Sequence, residues 1–414
     1  MSARLSSLRV VPALLCAATV AIGPMAVPDQ AHAARRPGGS LVLVGGGLSD
    51  DNAAVYDDIV RLAGGSGRAR IGIVTAAASV PAEDPDAGTP DCNNSVCNGD
   101  YYAALFQRYG AQAEWIPIDL DHVAAADDPA VVAQINRLSG FFFGGGDQYR
   151  YVTTMKRAGG ADSAALAAIR ARLHAGAVVA GTSAGAQIQA GRDMVSGGES
   201  YEGLRDGSAP GYFDDATKLG YLPDGGFGFF QAGLLDTHFS HRGRWGRSAR
   251  LAADTGHDRV FGLDQDTALE VTGVGGRHES MRVLGASGVH VLDLRRAEAR
   301  TGEDGWSISG VRWTRLSDGD GYDARVWRLR TGKPVYRGTA PGCPAAVADV
   351  FGREVLSTLA GDLAGRRDCR TAAGRTSEQH PAFVVDLRRD QRFTAYGVGS
   401  AATYRGLRVS IHGA

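Results

Sequence analysis

From residue 40 the chain alternates short, unbroken apolar runs with segments of helical period. Residues 41–44 form such a run and end in Gly45-Gly46-Gly47; residues 71–75, 113–118, 140–143 and 177–180 are others. Between them, Tyr102, Leu105, Phe106 and Tyr109 recur at i, i+3, i+4 and i+7, and Gly110 follows as a cap. Residues 129–138 read as a second helix, and Leu166, Ile169 and Leu173 mark a third, closed by Gly176. Strands apolar on every residue are buried on both faces. Joined by helices, they predict an α/β fold with a mostly parallel sheet flanked by helices and right-handed connections. In that architecture chemistry sits at the carboxyl ends of the strands.

The pattern changes after Gly262. Residues 268–271, 281–284, 289–294 and 307–316 read as strands without long helices between them, either extending the sheet or forming a β-rich flap. Residues 324–414 read as a small β-rich C-terminal extension, so the expected division is a domain over 40–323 followed by 324–414. Ahead of both, Arg4 and Arg9 precede an apolar stretch over 10–20, and Ala31-His32-Ala33 supplies the small-x-small pattern of a signal peptidase site. The stretch is shorter than the roughly 20 residues that span a bilayer. The expectation is a signal peptide over 1–33, cleaved near Ala33, and a secreted mature chain without a membrane span.

Charge and cysteine content narrow the functional classes. The formal net charge is −1, so no overall basic field draws nucleic acid to the chain. With Cys16 inside the signal segment, Cys92, Cys97, Cys343 and Cys369 remain. An even number in an exported chain favours disulfides. Proximity favours Cys92 with Cys97 and Cys343 with Cys369, although four cysteines permit three pairings. Neither spacing is a zinc pattern and no histidine cluster accompanies it, so no metal is expected.

Gly181-Thr182-Ser183-Ala184-Gly185 fits G-x-S-x-G, follows an apolar run and precedes a helix-compatible stretch over 184–190. A sharp strand-to-helix turn of this kind exposes the serine hydroxyl and points the Ala184 N–H at a developing oxyanion. Gly145 and Gly146, with no side chain to block approach, supply a second N–H. Ser183 needs a base. His238, after the apolar pair Leu234-Leu235, is the best candidate. His241 competes, and His174, just before Gly176, suits a helix end better.

Four segments carry a family resemblance: Gly144-Gly145-Gly146-Asp147-Gln148; the turn at 181–186; Asp236-x-His238-Phe239 with Arg242, Arg244 and Arg247; and Gly262-Leu263-Asp264-Gln265-Asp266-Thr267-Ala268. In order and spacing they resemble the serine peptidase family of cyanophycinase and aspartyl dipeptidase, its cyanophycinase branch in particular, over residues 40–322. The resemblance implies a fold like that of class I glutamine amidotransferases and a Ser–His–acid hydrolase without cofactor. It also implies a substrate such as cyanophycin, a poly-aspartate whose side-chain carboxyls carry arginine. Ser183 then matches the nucleophile and His238 the base. Gln148, Asp236, Thr237, Arg242, Arg244 and Arg247 match substrate-pocket positions. Arginines can fork onto substrate carboxylates, while Asp236 or Asp147 would meet a guanidinium.

Two positions depart from the family. Gln265 occupies the catalytic position where a glutamate is usual, and a neutral amide does not stabilise an imidazolium as a carboxylate does. Asp264, Asp266, Glu199 and Glu202 are the alternative orienting acids. Thr237 stands where cyanophycinases tend to have glutamine. The leading expectation is an exopeptidase acting on cyanophycin or β-aspartyl peptides. The alternatives are a peptidase for other aspartyl dipeptides and a non-catalytic binder of acidic peptides. A homodimer is left open.

Overall fold

Leu41 to Val44 are fully buried on both faces of the strand Ser40–Val44, which lies at the middle of the first of two large sheets. The computed structural model describes residues 38–400 and 402–414. The expected signal peptide lies outside the described residues. Among these residues, the first sheet has nine strands. Its parallel part runs Gln112–Trp115, Arg70–Val74, Gly140–Phe143, Val178–Thr182, Ser40–Val44. Antiparallel to it follow Thr267–Thr272, Ser280–Gly285, Gly321–Asp323 and Arg328–Arg330. Helices Ala53–Leu62, Ser95–Arg108, Pro129–Asn136 and Ala164–His174 connect the parallel strands, as the apolar runs predict. Asn94, Asp128 and Ser163 cap the last three by accepting hydrogen bonds from their first-turn amides.

The second sheet opens on a parallel pair, Leu234–Asp236 and Arg259–Leu263. Gly288–Asp293, Gly305–Ser317 and Thr403–Gly413 extend it antiparallel. Thr371–Arg375, Phe383–Arg388, Thr394–Tyr396 and Val335–Tyr336 lie on the side of residues 403–413, and Glu298–Gly302 pairs with Gly305–Ser317. Of the late strands, those over 267–272 and 280–285 therefore extend the first sheet, and those over 288–293 and 305–317 build a second. The C-terminal residues are β-rich: Arg328–Arg330 edges the first sheet, and their later strands lie on the second. One helix there, Val355–Gly365, buries Leu356, Leu359, Ala360 and Leu363 against it. Cys92 is bonded to Cys97 and Cys343 to Cys369.

Two expected elements are shorter than their apolar runs. The strand expected over 113–118 ends at Trp115, because Ile116 is followed by Pro117, which has no N–H for the ladder. The helix after Ser183 is a single turn, Ala184–Gln187, since Ala190 leaves it to pair with Phe230. No helix among the described residues is long and apolar enough to cross a membrane.

Candidate active site

Three adjacent parallel strands deliver three loops to one edge of the first sheet: Gly45 to Gly47, Gly144 to Gly146, and Ser183. Ser183 adopts φ 54 and ψ −117, the strained turn a G-x-S-x-G sequence permits. Both flanking glycines are sterically required. A Cβ on Gly181 would lie 2.2 Å from the Gly185 carbonyl oxygen, and one on Gly185 2.0 Å from that of Phe143. Ala184 opens the helix, so its N–H belongs to the first-turn amides without an intrahelical acceptor. Gly145 packs beside Ser183, and Gly146, at φ 136, passes so close to the Ala77 carbonyl that a Cβ would sit 2.1 Å from it.

The histidine comes from the second sheet. His238 follows the strand Leu234–Asp236 with φ 49, and its Nε2 lies 2.7 Å from Ser183 Oγ. His241 instead lies 3.6 Å from Glu354, and His174 ends a helix. On the other edge of the His238 ring, Gln265 Nε2 is 2.8 Å from Nδ1. Gln265 sits in the short crossover by which the chain passes from the second sheet into the first. None of the four alternative acids contacts the ring. Asp264 accepts from His290, Ser287 and the Ser240 amide, and Asp266 accepts from Asn52 and the Ser49 amide. Glu199 and Glu202 belong to the start of the helix Ser200–Asp206.

The first glycine loop, which sequence reasoning left without a role, holds this pair in place. The Gly45 carbonyl accepts from the His238 amide at 2.7 Å, and that of Gly46 from the Asp266 amide at 2.8 Å. The imidazole lies directly over Gly46: a Cβ there would meet His238 Cε1 at 2.2 Å. Burial, reinforced by the nearby charges of Arg242 and Arg244, lowers the His238 pKa to about 3. At neutral pH the ring is uncharged and faces a hydroxyl, as a general base must.

A cleft of about 430 Å³ opens from Ser183 and His238, lined by Gln148, Thr237, Arg242, Arg244 and Arg247 among others. Gln148 donates to the carbonyls of Val195 and Ser196, which fixes its amide in the cleft wall. Asp236 is not a ligand for a substrate guanidinium as expected. It is fully buried, and its carboxylate is occupied by a two-pronged bond from Arg247 (2.8 and 2.6 Å), by Ser248 and by the Thr237 amide. Arg247 in turn spends a further donor on the Gly198 carbonyl. This buried pair braces the cleft from behind. Arg244 shares Asp236 at 3.4 Å and donates to the Thr237 carbonyl, while its buried Nε has no partner among the described residues. Arg242 is exposed beside the cleft. Two cations, Arg242 and Arg244, are therefore left under-compensated at the cleft.

Asp147, the other acid the sequence offers for a guanidinium, does reach the cleft, together with two acidic groups absent from the sequence reading. Asp147 caps the helix Gln148–Met155 and accepts from Tyr212, whose ring stacks on Tyr149 at 4.3 Å. Asp214 and Asp215 follow on that loop and also line the cleft. Their loop has no regular period, so only the stacked tyrosines would have linked it to Asp147.

Residues 41–278 match the model of peptidase family S51. The chain belongs to that family. It is a serine-type peptidase. Cyanophycinases from Synechococcus elongatus and Thermosynechococcus vestitus are each 31% identical to it over 243 residues, covering 56% of this chain and 67% of the relative. A solved peptidase from an acI-B1 Actinobacterium superposes with a TM-score of 0.46 at 19% identity, covering 70% of the S51 chain and 98% of its own. Of the site segments, Gly144 to Gln148, the elbow, the His238 segment and Gln265 all fall within the matched residues.

Proposed function

We propose that the chain is a secreted serine exopeptidase that hydrolyses cyanophycin or β-aspartyl peptides, releasing β-aspartyl-arginine dipeptides. Ser183 Oγ attacks the scissile carbonyl as His238 Nε2 takes its proton. The oxyanion is held by the amides of Ala184 and the Gly145–Gly146 turn, and the same imidazole then protonates the leaving amine. Water, deprotonated by His238, releases the acyl group. The observation that carries this reading is the 2.7 Å approach of Ser183 Oγ to a neutral, buried His238 at a strained elbow.

The cleft supports the substrate class. A β-aspartyl-arginine unit carries carboxylates and a guanidinium. Arg242 and Arg244 suit the first, and Asp147, Asp214 and Asp215 suit the second. The cyanophycinase relatives and the two bonded cysteine pairs agree with this substrate and with export. Gln265 favours one competing reading, a site that binds acidic peptides without turnover.

The test is to incubate the chain lacking residues 1–33, and its Ser183→Ala variant, with insoluble cyanophycin and to identify soluble products by mass spectrometry. Release of β-aspartyl-arginine by the unmodified chain alone supports the proposal. Absence of release, with no turnover of β-aspartyl dipeptides and no labelling of Ser183 by a fluorophosphonate, leaves the binding reading.

A further inference from the structure

The second sheet carries a row of charge that the catalytic cleft does not use. Strand register places Arg259 opposite Asp293, Asp293 opposite Arg312, Arg312 opposite Arg408, and Arg408 opposite Arg388. Five consecutive strands thus carry one lateral row of four arginines and one aspartate, about 19 Å long at the usual strand spacing of about 4.8 Å, with Arg259 at its end buried against Trp327. Like charges directly opposite one another destabilise a sheet, and Arg312, Arg408 and Arg388 are three in succession.

The row borders a concavity of about 530 Å³ that adds Arg295, Arg296, Arg392 and Asp390. Two of its arginines are neutralised: Arg295 forks onto Asp293, and Arg312 pairs with Asp390 at 2.6 Å. The guanidinium groups of Arg296, Arg392, Arg408 and Arg388 make no hydrogen bond or ion pair among the described residues, and all four residues are exposed. In a chain of net charge −1, this is a local concentration of unspent cations interleaved with two carboxylates.

We infer that this row is a docking site, separate from the catalytic cleft, for a peptide polymer bearing carboxylates along its length. It rests on the substrate reading above and deepens it. The free arginines would take carboxylates, and the neutralised Arg295–Asp293 and Arg312–Asp390 pairs between them leave positions that do not repel the polymer's cationic groups. Arg259 begins the strand whose far end leads to Gln265, six residues on and so roughly 20 Å away along an extended chain. A polymer held there stays at high effective concentration for the cleft. The arginines at 296, 312, 388, 392 and 408 all lie beyond the residues that match the S51 family.

The experiment uses the chain lacking residues 1–33 and a triple variant, Arg296→Gln/Arg392→Gln/Arg408→Gln. Co-sedimentation with insoluble cyanophycin is measured over a salt series, with soluble poly-aspartate and inorganic polyphosphate as competitors. The expected result is at least tenfold weaker sedimentation of the triple variant, competition by poly-aspartate, and unchanged turnover of a soluble β-aspartyl dipeptide. Arg408→Lys, which keeps the charge, should retain most of the binding and guards against a folding artefact. Equal sedimentation of the triple variant overturns the inference, as does preferential competition by polyphosphate. Arginine-dependent sedimentation without any cleavage would leave the docking site standing and remove the catalytic reading.

Discussion

Gln265 Nε2 lies 2.8 Å from His238 Nδ1, on the ring edge opposite Ser183. In that orientation the amide donates to Nδ1, which leaves the ring proton on Nε2, where a base must be bare. Rotating the amide by 180° puts Oε1 against an Nδ1–H and frees Nε2 to accept. A carboxylate permits only the second arrangement and also stabilises the imidazolium. Gln265→Glu should therefore raise kcat/KM on a β-aspartyl dipeptide by at least about tenfold and move the acid limb of the pH profile upward. Gln265→Leu should lower it. A slower Gln265→Glu enzyme with an unmoved limb would mean that this residue does not orient the ring.

Gly46 contacts the other critical surface of the same imidazole. A methyl group there would stand 2.2 Å from Cε1, at a backbone φ of 101 that L-residues rarely adopt. Gly46→Ala must push the ring off Ser183. A displacement of about 1 Å costs roughly a hundredfold in rate. The expected outcome is a loss of that order in kcat, with fluorophosphonate labelling of Ser183 equally slowed and the far-ultraviolet spectrum unchanged. Normal turnover by the variant would place the ring elsewhere in the working enzyme.

Asp236 and Arg247 make a different demand. Both are buried, and removing the carboxylate leaves Arg247 and Arg244 as adjacent uncompensated cations. Breaking one side of such a pair typically costs about 3–5 kcal/mol. Asp236→Asn should lower unfolding stability by about that amount in urea titrations and weaken substrate binding through the loosened cleft wall. A loss below about 1 kcal/mol would mean that water reaches the pair.

These tests separate what the sequence makes visible from what it hides. The parallel strands are legible because each is apolar on every residue, and the elbow because Gly181 and Gly185 have no substitute at 2 Å approaches. His238 is legible through the residues around it. The burial of Asp236 is not, since an acidic residue before a histidine reads equally well as a ligand or as half of an internal ion pair. The helices Gln148–Met155 and Trp245–Thr255 are obscured by their Arg, Thr and Tyr content. The role of Gly45 to Gly47 is hidden because it depends on contacts with His238, Gln265 and Asp266, far later in the chain. Pairing register across the second sheet, which assembles the arginine row, has no local signature at all.

The pH dependence of stability follows from His238. An unfolded histidine binds its proton near pH 6.5, whereas the folded residue, desolvated and facing Arg242 and Arg244, does so only at about 3. Between those values the unfolded chain holds more protons than the folded one. Stability therefore rises with pH through that window and is lost as pH falls from 6.5 toward 3. Replacing the ring with a non-titrating amide removes this contribution. Urea midpoints measured from pH 3.5 to 7 should fall more steeply with acid for the unmodified chain than for His238→Gln. Across the same range the kcat/KM of the unmodified chain should lack the break near 6.5 that an ordinary histidine base produces. Parallel stability curves, or a rate break near 6.5, would show that the imidazole titrates normally and is solvated in the folded protein.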